Sequence, residues 1–287
     1  GKSTGFSHRT NYTQTRCKQT KMKQKHLVLI LIMNMTFSYS QQIFKGYGER
    51  ETVENLDIEL LKLVSKKAEI IFENIYLDKS FSKKYNKDIT FYSLRYITEK
   101  LESENYYTTT FLFVNDNGNV LGKLSNKNLN YSDNEARQPY PTRILKNNIP
   151  ISKNLNGIGI ITEFSSPSRI SFYSEELLSV IIFNNNSLKT IIKNYPIRKT
   201  QGQSNGWKNH EIEVLESLVF LKKTTSNNFY DLKVVKNYTY EKHIEKDSLK
   251  KIKELNSKYK IKEIEIVKYT GEKYNFNKLQ YKFLKGY

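Results

Sequence analysis

Tyr107-Thr108-Thr109-Thr110-Phe111-Leu112-Phe113-Val114 runs into Asn115-Asp116-Asn117-Gly118 and then into Val120-Leu121-Gly122-Lys123-Leu124. The first run is β-branched and aromatic, which suits a pleated, half-buried surface. Asn117-Gly118 lies between two apolar runs, and both residues tolerate positive φ. That is the strongest short-range hairpin signal a sequence offers. An antiparallel sheet is therefore expected to start in this region.

Outward on the N-terminal side, two helices are expected. Leu60, Leu61, Val64, Ala68, Ile71, Phe72 and Ile75 recur at three- to four-residue spacing, with lysines and glutamates between them. This predicts an amphipathic helix over about 56–76, capped by Asn55 and carrying Asp57 in its first turn. Phe91, Leu94, Ile97 and Leu101 suggest a second helix over 89–104.

On the C-terminal side, residues 158–164 and 169–173 read as a hairpin turning through Ser165-Ser166-Pro167-Ser168. The continuous apolar run 177–183 suggests a strand covered on both faces. Residues 125–156 are Asn-rich, contain Pro139, Pro141 and Pro150, and read as a long functional or mobile loop. The polar, glycine-containing stretch 199–206 reads as a linker. Beyond it, 211–222 fits a strand or a helix and is read as a strand turning into 230–240, a short helix carries Leu249, Ile252 and Leu255, and a last hairpin turns at Thr270-Gly271-Glu272. In that hairpin Glu263 and Glu265 read as the solvated face. The expected fold class is α+β: an N-terminal helical region packed on a mainly antiparallel sheet, with a C-terminal helix-plus-hairpin region. The expected regions are 41–198 and 207–287, with the option of one continuous domain.

Residues 22–40 carry the three parts of a secretory signal peptide: a basic start, an apolar run from Leu27 to Phe37, and Ser38-Tyr39-Ser40 before a cleavage point at Gln41. The apolar run is too short to cross a bilayer as a helix. Residues 1–21 fit this scheme less well and read as an upstream extension. The predicted location is outside the cytoplasm, in the periplasm, at the cell surface or in the medium. No transmembrane span is expected after cleavage. Cleavage would also remove Cys17, the one cysteine of the chain, so the mature part is expected to be cysteine-free.

The 287-residue chain has 47 Lys+Arg against 29 Asp+Glu, a formal net charge of +18. The leader holds Lys2, Arg9, Arg16, Lys18, Lys21, Lys23 and Lys25 and no acid, so the remainder stays basic. Lysines far outnumber arginines and alternate with glutamates, which argues against specific nucleic-acid reading and leaves a preference for anionic surfaces. The motifs of phosphate loops, nucleophile elbows and zinc-binding histidine pairs are missing from the sequence. No cofactor, metal or catalytic residue is therefore assigned. His210 and His243 lie far apart in sequence. On a strand, Glu211 and Glu213 would share a face that His210 does not.

The one segment singled out as a binding site is Arg137, Tyr140 and Arg143, two cations flanking a tyrosine between prolines. The functional expectation is a non-catalytic exported binding or envelope-accessory protein, contacting an envelope protein or an anionic glycan or lipid surface. The alternative is a secreted hydrolase, glycosidase or nuclease, working with carboxylates that leave little sequence trace.

Overall fold

The computed structural model describes residues 41–42, 56–125, 129–132, 138–139, 142–166, 168, 170–184, 187–205, 209–245 and 255–277. Strand pairing dominates. A first sheet has the order β1-β2-β3-β4, formed by Phe81–Lys84, Ile89–Lys100, Asn105–Asn115 and Val120–Ser125, with β5 (Tyr131–Ser132) also on β3. The second sheet is an antiparallel meander. It contains β6 (Gln138–Pro139), β7 (Arg143–Ile144), β8 (Ile149–Pro150), β9 (Asn156–Ser165), β10 (Ser171–Asn184), β11 (Ser187–Ser204), β12 (Asn209–Ser226), β13 (Phe229–Ile244) and β14 (Leu255–Val267). Its order is β14-β13-β12-β11-β10-β9-β6, with β7 and β8 also pairing with β9. These elements all belong to the unit Gln42–Tyr287.

The α+β expectation is thus corrected to a mainly antiparallel β architecture. Among the described residues there is one α-helix, α1 (Ile58–Lys67). It starts at Asp57, whose carboxylate accepts a hydrogen bond from the Leu60 amide at 3.0 Å. It stops well short of residue 76, because Glu69 turns left-handed at φ 59° and the chain continues in short 3-10 turns at Phe72–Asn74 and Leu77–Lys79. The helix predicted over 89–104 is instead β2 and the turn that leads into β3. Tyr92 and Leu94 pack with Leu61 and Val64 of α1, while Phe91 packs with Phe111 and Phe113 toward the second sheet. With both faces buried, apolar residues occur on both parities and mimic helical spacing. The C-terminal helix is not supported either: Leu255 begins β14, and 246–254 lie outside the described residues. The stretch read as a linker continues β11 as far as Ser204. The cysteine-free expectation is also corrected, because the chain carries Cys17, which lies outside the described residues.

Three predicted hairpins hold, while the second arm of the last one, 279–283, lies outside the described residues. Gly118 has φ 72° at the β3–β4 turn, where the Asn115 carboxamide oxygen accepts from the amides of Asn117 and Asn119 at 3.1 and 2.9 Å. β9 pairs with β10, and β12 with β13 through Asn227-Asn228, both at positive φ.

Between the sheets lies an aromatic core. Phe113 meets Phe91 edge-on at 5.1 Å, Tyr85 edge-on at 5.0 Å and Phe183 stacked at 5.5 Å. Ile158, Ile160, Phe164, Leu177 and Ile181 fill the same layer from the second sheet. On the other face of β9–β11, Leu178, Val180, Ile192 and Tyr195 pack with Val219, Leu232, Val234 and Val267 of β12–β14. This is possible because β11 pairs with β12 only through Arg198–Ser204, which leaves the second half of β12 free to carry β13 and β14 over that face.

β14 is inverted relative to the sequence expectation. Glu265 faces inward and pairs with Lys236 of β13 at 2.7 Å, with side chains 9% and 3% exposed. Ile264 and Ile266 face outward at 59% and 46% exposure. Burial, with the charges of Glu263 and Glu265 adding, pushes the Tyr238 hydroxyl up to about 12, as expected if both carboxylates lie on the inner face. Removing one partner of a buried ion pair leaves an uncompensated charge. Lys236→Met should therefore lower unfolding free energy by about 3–5 kcal/mol, and Lys236→Met/Glu265→Leu should recover most of it. Urea denaturation of the three proteins measures this. A double variant no better than the single one would contradict the pairing.

Candidate binding surface

Of the three residues singled out in the sequence, Arg137 and Tyr140 lie outside the described residues. Arg143 sits on β7, where it pairs with Ile161 of β9. Its guanidinium reaches Glu176 at 3.2 Å and Glu163 at 3.9 Å. Glu163 and Glu176 are register partners across β9 and β10, and Glu176 faces Arg198, which faces Glu216. Arg143 therefore belongs to a row of charges laid across the sheet, not to a loop surface. Glu176 is 4% exposed and depends on its cations. Burial raises the pKa of Glu163 above the usual glutamate range, and the neighbouring Glu176 carboxylate adds to this. Arg143 and Arg198 pull the other way.

The far halves of the long strands carry a second polar group. Register places Glu211 opposite Lys242 and Glu213 opposite Tyr240, with Tyr240 opposite Tyr259. Glu211 accepts hydrogen bonds from the Tyr240 hydroxyl at 2.9 Å and the Lys242 ammonium at 3.0 Å, and Lys242 holds its pKa down. Tyr240 is in turn pushed up to about 12, first by burial and then by its bond to Glu211. Glu213 is raised by burial and accepts from Gln201 at 3.1 Å. As strand geometry requires, His210 lies on the opposite face, across from His243.

That opposite face of β12–β14 carries two exposed isoleucines of the edge strand together with three of its lysines. Lys258, Lys260, Lys262, Ile264 and Ile266 share one side of β14, and all are exposed. Leu218 of β12, Val235 of β13 and Ile264 form one cross-strand row, and Phe220, Lys233 and Ile266 form the next. The rows run from apolar at one end to basic at the other. Sequence reasoning missed this face because alternation alone cannot say which side of a strand is covered. The exposed isoleucines were the available signal, readable only once the partner of Glu265 is known.

Among the described residues, no group of three His, Cys, Asp or Glu side chains is placed to hold a metal ion, and no helix is long and apolar enough to cross a membrane. Compared with known proteins, the chain matches no family model, no curated protein and no solved structure. The physical features of the surface are therefore what a functional reading has to rest on.

The charge row has a pH signature. Glu163 binds its proton more tightly folded than unfolded, so its contribution is fully present below the ordinary glutamate pKa and is lost as pH rises through the raised value. Glu163→Gln should remove that loss. Its stability relative to wild type should grow between about pH 4 and about pH 7, as read by denaturation at a series of pH values. A constant difference would contradict the assignment. Arg143→Ala should destabilise by about 3 kcal/mol, because Glu176 remains buried with one cation fewer.

Proposed function

We propose that this is an exported, non-catalytic binding protein that rests on an anionic lipid surface of the cell envelope through the outer face of β14 and its neighbours. The observation that carries the reading is the coincidence on one strand face of Lys258, Lys260 and Lys262 with the exposed Ile264 and Ile266. A lysine near an anionic leaflet contributes about 1 kcal/mol; Lys258 is paired with Glu241 at 2.6 Å, so Lys260 and Lys262 carry most of that attraction and hold the protein at a surface reversibly. Adjacent apolar side chains add burial in the headgroup region at roughly 25 cal/mol per Å² removed from water. Large exposed apolar groups rimmed by polar ones mark interaction sites more often than chance. The signal-like segment 22–40 supports the export part of the proposal.

The competing reading, a hydrolase built on carboxylates, has less support. Its best-placed pair is Glu163 and Glu176, which are close enough to share one guanidinium. With Glu176 buried against Arg143, a substrate has no approach to that carboxylate. Glu265, another carboxylate of the last strand, is occupied by Lys236.

Co-sedimentation with vesicles tests the proposal. Binding is expected to vesicles of phosphatidylcholine mixed with phosphatidylglycerol, and not to phosphatidylcholine alone. A Lys260→Gln/Lys262→Gln variant should bind about thirtyfold more weakly. Ile264→Asn/Ile266→Asn should weaken binding further at high salt, where the apolar contribution remains. Equal binding of wild type and the lysine variant, or retention by an acidic polysaccharide with no vesicle binding, would overturn it.

A further inference from the structure

We infer that His210 and His243 form a binding site for a divalent transition-metal ion of the kind that prefers imidazole, at the far end of β12 and β13. The two residues are direct register partners across the antiparallel pair. Their rings lie 5.5 Å apart between centroids, tilted by 30°. Two imidazoles sharing a tetrahedral ion at the usual Zn–N distance have centroids roughly 5 Å apart, so a rotamer adjustment suffices to close the chelate. Both line a crevice of ≈ 290 Å³ with Gln203, Ser204 and Asn209, which leaves room for the ion and its remaining water ligands.

The Asn256 contact favours the ligating form of His243. His243 Nδ1 donates to the Asn256 carboxamide oxygen at 2.5 Å, which places the ring proton on Nδ1 and leaves the Nε2 lone pair available. Such an outer hydrogen bond fixes the tautomer and orientation of metal-binding histidines. His210 Nε2 lies 3.6 Å from Glu241 Oε1. That is too long for a hydrogen bond but close to the separation of two oxygen or nitrogen ligands on one tetrahedral cation. Glu241 already pairs with Lys258 at 2.6 Å, so it supplies at most a third, exchangeable ligand. The site is thus a two-imidazole chelate, in keeping with the lack of any three-ligand cluster among the described residues. Imidazole pairs suit Zn²⁺, Cu²⁺ and Ni²⁺ over Mg²⁺ and Ca²⁺.

The test is a Zn²⁺ titration of the full chain, followed through the side-chain nitrogen resonances of its histidines. The expected result is a shift of Nε2 in both His210 and His243 that saturates together at one ion per chain. His243→Ala should abolish the shift at His210, with at least a tenfold loss of affinity, while the amide spectrum shows the fold retained. Asn256→Ala should weaken binding about tenfold without removing it. Mg²⁺ at the same concentration should move neither ring. Three outcomes would each overturn the site: shifts confined to His8 and His26, persistence of the His210 shift in His243→Ala, or no shift at all.

Discussion

The second sheet depends on the pairing of Lys236 with Glu265. Each charge alone would cost several kcal/mol to bury, which the pairing offsets. The pair therefore fixes the register of β14 against β13. Sliding β14 by one residue would place Ile264 or Ile266 against the ammonium and turn every other side chain of the strand over. With the register fixed, Val267 closes the core beside Leu232, and the isoleucines have nowhere to go but outward. The lysines at 258, 260 and 262 share their parity and emerge on the same side. A buried ion pair and an exposed face of lysines and isoleucines are thus two results of one register choice.

A second constraint acts between the sheets. Phe113 touches aromatic rings from β2, from the β1–β2 turn and from β10, which ties the first sheet to the second. On the far side, Leu112 and Val114 are covered by α1. β3 is therefore apolar on both faces, as is β2. This decided which elements were legible in the sequence. The Asn117-Gly118 turn depends on local backbone conformation and could be read directly. So could the strands flanking Asn227-Asn228, whereas the cap of α1, expected at Asn55, is Asp57. The stretch 89–104 could not, because spacing alone does not separate a doubly covered strand from one face of a helix. Its Thr90, Tyr92, Tyr96 and Thr98 were the β-favouring residues that should have outweighed the spacing.

The candidate sites show the same division. That Arg143 mattered electrostatically was readable from its charge. That it serves Glu176 was not, because the two meet only after β7 and β10 both pair with β9. The separation of His210 from Glu211 and Glu213 follows from strand alternation and was foreseen. The meeting of His210 with His243 was not, since it requires the full register of a long hairpin. The outer face of β14 was read with the wrong side outward: glutamates normally face water and isoleucines the core, and here one buried lysine reverses both.

The orientation of β14 can be measured directly with methyl-labelled isoleucine and valine and a soluble gadolinium chelate. The account predicts strong relaxation enhancement at the methyls of Ile264 and Ile266, with Val267, Val234 and Val219 protected. Protected Ile264 and Ile266 methyls would mean that the strand carries its glutamates outward, and would contradict both the Lys236–Glu265 pairing and the surface built on it.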